Sequence, residues 1–96
     1  MMKTHIRNAI LLTPQQRMEH TVLTLSGGVI EKLTPEEEFS FEPGNTLDAK
    51  GCYVAPGFID LHFHGAMGVD TMDAVAAGMV TASAYCSQHG VTTFYP

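Results

Sequence analysis

His62 and His64 stand two residues apart in Phe58-Ile59-Asp60-Leu61-His62-Phe63-His64-Gly65, an apolar run that closes on a glycine. In an extended segment, side chains at i and i+2 leave the same face. The spacing predicts two imidazoles side by side, about 7 Å apart at their backbones. Leu61 and Phe63 would turn the other way, into an apolar layer. Two neutral imidazoles converging at the end of a buried strand suit a divalent transition metal. The competing reading is a pair of structural histidines in a core. Asp60 falls on the same face, one pleat lower. It either orients a ligand as a hydrogen-bonding carboxylate or is a buried polar residue bonded to backbone or water.

The other polar candidates are less patterned. Asp70 and Asp73 are loop carboxylates within reach of such a site, with helix capping the simpler role for Asp73. His5, His20 and His89 have no neighbours in motif spacing and read as exposed, His89 also complementing a helix C-terminus. Cys52 and Cys86 show no C-x-x-C spacing. Both read as reduced, packed side chains.

The residues that must position the histidines form a strand-helix-strand pattern. Phe58 to His64 reads as a strand following the turn Pro56-Gly57. Gly65 to Asp70 reads as a two-glycine loop long enough to wrap over a site. A helix capped by Thr71 or Asp73 then runs to about His89, with Val75, Met79, Ala82 and Cys86 spaced as a buried stripe. Gly90 fits a left-handed stop, and Val91-Thr92-Thr93-Phe94-Tyr95 is a β-branched and aromatic strand. This order makes a βαβ unit with parallel strands. One helix cannot cover both faces of such a pair.

Upstream, Met1 to Lys50 reads as short strands and turns. Thr21-Val22-Leu23-Thr24-Leu25 and Val29-Ile30-Glu31-Lys32-Leu33 flank Gly27-Gly28 as a hairpin ended by Thr34-Pro35. Phe39-Ser40-Phe41 and Thr46-Leu47-Asp48-Ala49 are further short strand candidates around the turn Pro43-Gly44-Asn45. Glu36-Glu37-Glu38 reads as a solvated turn.

Composition narrows the function classes. With 45% hydrophobic residues among 96, the chain is globular material. A formal net charge of −5 and five scattered Lys and Arg exclude a basic nucleic-acid face. No apolar stretch approaches the roughly 20 residues of a membrane span. Ala9-Ile10-Leu11-Leu12 is too short for a signal-peptide core. A cytoplasmic, reducing location is the default expectation.

Val54-Ala55-Pro56-Gly57-Phe58-Ile59-Asp60-Leu61-His62-Phe63-His64-Gly65 resembles the start of the barrel in the amidohydrolase superfamily. Gly68, Asp70 and the ending Gly90-Val91-Thr92-Thr93-Phe94-Tyr95-Pro96 are similar to the family of deacetylases acting on N-acetylglucosamine 6-phosphate. The resemblance extends from about Gly27 to Pro96. It implies an α/β fold: the N-terminal portion of a small β-sandwich (1–54), then strand one, helix one and strand two of a metal-dependent (β/α)8 barrel (55–96), truncated there. It implies hydrolysis of an acetamide to glucosamine 6-phosphate and acetate. His62 and His64 would be metal ligands, with Asp60 supporting them. The ion would be divalent, zinc first and iron or another as alternatives, with one or two ions in the full-length enzyme.

The resemblance also implies a general base and further ligands beyond residue 96, so no catalytic residue is assigned within the chain. The expected partner is a small amino-sugar phosphate, without nucleic acid or membrane, and the full-length family member is expected to be a homodimer. The 96-residue chain alone is expected to be inactive, and poorly stable or self-associating. Two rivals stay open: another cyclic-amidase or deacetylase member of the superfamily, and a non-catalytic β module.

Overall fold

A computed structural model of the chain describes residues 2–40, 42–70, 72 and 76–95. It divides into two compact units, Met1–Pro56 and Gly57–Pro96.

The first unit is all β. Its strands are β1 (Lys3–Arg7), β2 (Ile10–Leu12), β3 (Arg17–Met18), β4 (Thr21–Ser26), β5 (Val29–Pro35), β6 (Asn45–Asp48) and β7 (Tyr53–Val54). They form a four-stranded sheet in the order β5-β4-β1-β6 and a three-stranded sheet in the order β3-β2-β7. The hairpin forms where the glycine pair predicts it. Gly27 and Gly28 have φ of 60° and 80°, the paired left-handed conformation of the two-residue turn that matches strand twist. Thr21 pairs with Pro35 at its open end.

The unit's core lies between the two sheets. Ile6 of β1 and Leu23 of β4 cluster with Leu11 of β2 and with Ala9, and Met18, Leu25, Ala49 and Val54 pack against them. Burying each of the large aliphatic side chains contributes about 1.5–3 kcal/mol.

The strand β1 is central, between β4 and β6, and both of its faces are covered. Ile6 faces the core while His5, on the opposite face, is 1% exposed. This corrects the expectation that His5 is exposed. Its Nδ1 lies 3.0 Å from Thr24 Oγ1, and the Phe39 ring packs edge-on against it at 5.2 Å. Phe39 and Ser40 are not a strand, contrary to expectation, and Phe41 lies outside the described residues. The Phe39 ring lies over this face of β1, 5.6 Å from the Arg7 guanidinium. Glu36–Glu38 form one turn of 3-10 helix, whose Glu36 carboxylate reaches Arg7 and His20 at 3.7 Å each.

The second unit contains β8 (Phe58–Asp60), β9 (Gly65–Ala66), β10 (Val69–Asp70), the helix α1 (Ala76–Gln88) and β11 (Val91–Phe94). β8 and β11 pair in parallel with α1 between them in sequence, as the βαβ reading requires. Ala82 and Cys86 are the buried residues of α1 and Met79 is half-buried beside them, so the stripe holds over those positions. Val75, Thr71 and Asp73 lie outside the described residues, and with them the predicted caps. Gly90 takes φ of 81° just past the helix, the left-handed stop. His89 exposes its ring but uses Nδ1 to bond the Tyr85 carbonyl at 2.9 Å, satisfying a carbonyl of the last turn.

Candidate metal centre

The strand that carries the motif is shorter than its apolar run. Pairing of β8 with β11 ends at Asp60 against Phe94. Leu61 and His62 form a bend, and His64 lies beyond the sheet. The expected strand to His64 is therefore corrected to a strand to Asp60 followed by a turn. Two backbone hydrogen bonds hold this turn against the end of β11. Tyr95 N–H donates to the Asp60 carbonyl at 2.9 Å, and Phe63 N–H donates to the Tyr95 carbonyl at 3.0 Å. Between them, His62 N–H donates to the Asp60 side chain Oδ1 at 3.1 Å. The run is also not buried here: Phe58, Ile59 and Leu61 are 70%, 60% and 76% exposed. Phe63 does pack inward, its ring 4.5 Å from that of Phe94.

The turn brings the two imidazoles together. His62 Nε2 and His64 Nε2 are 2.8 Å apart. The rings meet edge to face, with centroids 4.6 Å apart and planes at 80°. At this distance either one ring donates its proton to the other or both lone pairs face a shared cation. Two nitrogens on one ion at about 2.0–2.1 Å stand about 2.9–3.4 Å apart for bond angles from 90° to tetrahedral. The observed separation is within a few tenths of an ångström of that range, so the donor pair fits a transition-metal ion. No group of three or more His, Cys, Asp or Glu side chains converges among the described residues. A tetrahedral ion held by this pair would need further ligands.

The two-glycine loop expected over Gly65 to Asp70 is a tight hairpin. Gly65–Ala66 pairs antiparallel with Val69–Asp70, turning through Met67 and Gly68 at φ of 54° and 76°. Gly65 directly follows His64, and a Cβ there would sit 1.6 Å from the Val69 carbonyl oxygen. Only glycine permits this approach, and it fixes the hairpin beside the imidazole. A shallow open depression of about 320 Å³ results, lined by His64, Gly65, Ala66, Gly68, Val69 and Asp70. Asp70 uses Oδ1 to accept the Met72 N–H at 2.9 Å, which turns the chain toward α1. The same spacing of Asp and backbone donor recurs at Asp60 and His62, and reading Asp as a turn-former would have ended the strand correctly.

Neither cysteine comes into this set. Cys86 is buried on α1, whereas Cys52 is exposed in the first unit, correcting the expectation that both are packed.

No family profile matches the chain. A curated bovine (Bos taurus) N-acetylglucosamine-6-phosphate deacetylase is 40% identical over 81 residues, covering 77% of this chain and 19% of that protein. The crystal structure of N-acetylglucosamine-6-phosphate deacetylase from Pasteurella multocida superposes on 98% of the chain and 25% of its own length, with a TM-score of 0.89 at 23% identity. The chain is a homologue of part of the N-acetylglucosamine-6-phosphate deacetylases. It spans about a fifth of the length of the curated deacetylases it matches. A dihydroorotase from Aquifex aeolicus (strain VF5) is 36% identical over 70 residues, 67% of this chain and 15% of that protein, so the similarity reaches a second chemistry. The fold shared with the deacetylase structure covers both units, the sandwich-like sheets and the βαβ segment alike.

Proposed function

We propose that the chain supplies a His-His half of the metal centre in a deacetylase that hydrolyses the acetamide of N-acetylglucosamine 6-phosphate to glucosamine 6-phosphate and acetate. The observation that carries this reading is the 2.8 Å convergence of His62 and His64 Nε2, together with the deacetylase homology. Among the described residues, these two side chains would hold the ion. A divalent ion, zinc ahead of iron, supplies Lewis acidity when bound: it lowers the pKa of water and withdraws charge from a carbonyl oxygen. The chain's own part is to present two imidazole nitrogens to one point, oriented by the turn at Asp60 and walled by the Gly65 hairpin. The general base, the remaining ligands and the phosphate grip belong, in this reading, to the rest of a (β/α)8 barrel whose first βαβ unit is β8-α1-β11. The 96-residue chain alone has no deacetylase activity, and the functional assembly is a cytoplasmic homodimer.

The test is a Zn²⁺ titration by calorimetry on the 96-residue chain and on His62→Ala and His64→Ala. Weak one-to-one binding that drops by more than about tenfold in either variant is expected; equal uptake by all three chains refutes the assignment. A chimera then reads the reaction: this segment replaces the matching 81 residues of the bovine homologue. Acetate release from N-acetylglucosamine 6-phosphate supports the proposal. Acetate release unchanged when His62→Ala and His64→Ala are made in the chimera refutes it.

A further inference from the structure

In a continuous strand, parallel side chains at i and i+2 keep their bases about 7 Å apart. Rings on such bases must lean toward each other to meet, and a bend in the backbone between them sets how they do so. The bend here falls between Asp60 and Phe63. Its two ends are fixed by main-chain bonds to Tyr95. The peptide in between, which carries His62, is tethered by its N–H on Asp60 Oδ1 at 3.1 Å. An Asp carboxylate accepting from the N–H two residues on is a local turn that competes with strand pairing. It explains why β8 stops at Asp60 although the apolar run continues through Leu61 and Phe63.

We infer that Asp60 is the positioning residue of the centre. Its side chain sets the convergence of His62 on His64 by holding the His62 main-chain N–H, without contacting either ring. This deepens the metal-centre reading and rests on it for its functional meaning. It also makes a chemical distinction. A carboxylate that tuned an imbazole through its ring would depend on negative charge. An acceptor for a backbone N–H depends on an sp² oxygen at the right reach, which asparagine also offers.

The experiment uses the 96-residue chain, its Asp60→Ala, Asp60→Asn and Asp60→Ser variants, and NMR. The readouts are the ring-to-ring cross-peaks of His62 and His64, the hydrogen-exchange protection of the His62 amide, and Zn²⁺ affinity. Asp60→Ala is expected to lose the cross-peaks and the protection, and to bind Zn²⁺ at least about tenfold more weakly. Asp60→Asn is expected to keep all three. Asp60→Ser, whose hydroxyl makes the same turn more weakly, falls between and covers the case in which alanine does not fold. Equal loss in the Asn and Ala variants overturns the inference, because charge would then be the cause. Retention of the ring contact in Asp60→Ala overturns it too. A parent chain with the ring contact but no Zn²⁺ uptake defeats the metal assignment alone, and the variants still decide the role of Asp60.

Discussion

Replacing Gly65 by alanine tests whether the hairpin beside His64 is a fixed wall. The added Cβ would lie 1.6 Å from the Val69 carbonyl oxygen and 2.7 Å from its carbon. Reaching even 3.0 Å, the closest approach such atoms tolerate, requires the strands to part by 1.4 Å. Backbone hydrogen bonds of about 2.9 Å become gaps beyond 4 Å, so the pairing of Gly65 with Asp70 and of Ala66 with Val69 is lost. Two bonds at about 0.5–1.5 kcal/mol each, and about 1–3 kcal/mol for an L-residue held at φ of 152°, give a cost of roughly 2–6 kcal/mol. Gly68→Ala is the internal control. It sits in the same hairpin at φ of 76°, but its Cβ would have nothing within 4 Å, so only the backbone term of about 1–2 kcal/mol applies. The disturbance should spread, because α1 seats Gly78 against Val69, where a Cβ would lie 2.8 Å from Val69 Cγ1. The assay is urea unfolding of both variants with amide exchange at Ala66 and Val69. Loss of protection and a much lower midpoint in Gly65→Ala, with a small shift in Gly68→Ala, is the expected pattern. Equal effects of the two substitutions would refute the steric argument.

Three further outcomes are expected. Thr24→Val removes the hydroxyl partner of the buried His5 Nδ1 and should destabilise the first unit by about 1–3 kcal/mol, the cost of an unsatisfied buried polar atom, read from its thermal melt. Acid should weaken that unit, because two of its carboxyls are held below their ordinary range when folded: Asp48 by the Asn8 amide and then the Lys50 N–H, and Glu42 by Lys32. Such groups stabilise fully above their unfolded pKa of about 4 and lose that contribution as pH falls through the lower folded value. Melts in the range below about pH 4 should therefore fall, and Asp48→Asn should flatten the fall. Finally, the isolated chain should self-associate through β8 and its exposed Phe58, Ile59 and Leu61; light scattering showing a stable monomer at high concentration would contradict this.

Local rules were readable in the sequence wherever the cause was local. Gly27-Gly28 dictates the β4–β5 hairpin because both turn residues need positive φ, and Gly90 dictates the end of α1 for the same reason. The Met79, Ala82, Cys86 stripe follows from helical period alone. What could not be read was set by distant partners. Lys3-Thr4-His5-Ile6-Arg7 carries no strand signal of its own within a span read as short strands and turns, yet it is the central strand between β4 and a parallel β6 some forty residues downstream. A histidine there is buried because Phe39 and Thr24 arrive from elsewhere to cover and bond it. Phe39, in turn, misleads as a strand residue because its aromatic ring serves to cover another sheet.

The site itself was legible in residue type and mistaken in mechanism. Alternation along a strand puts His62 and His64 on one face, but it does not say where the strand ends or how their rings are turned. The rings converge to 2.8 Å where the strand stops, and the stop signal is Asp60, for which the sequence leaves open both a carboxylate orienting a ligand and a polar residue bonded to backbone or water. Its Oδ1 takes the His62 N–H, just as Asp70 takes that of Met72 four residues after the hairpin begins to close. The two aspartates bracket the histidines and the hairpin with the same device, an acidic side chain folded back on the main chain. An Asp-x-His-x-His pattern after an apolar run therefore carries two instructions: end the strand here, and aim the next two like-facing imidazoles at one point. A strand-only reading predicts that substituting Asp60 by a β-branched residue lengthens β8 harmlessly. The turn reading predicts that Asp60→Val extends pairing with β11 past Phe94 and separates the rings, an outcome that amide protection at Leu61 and His62, gained while the ring cross-peaks vanish, would display directly.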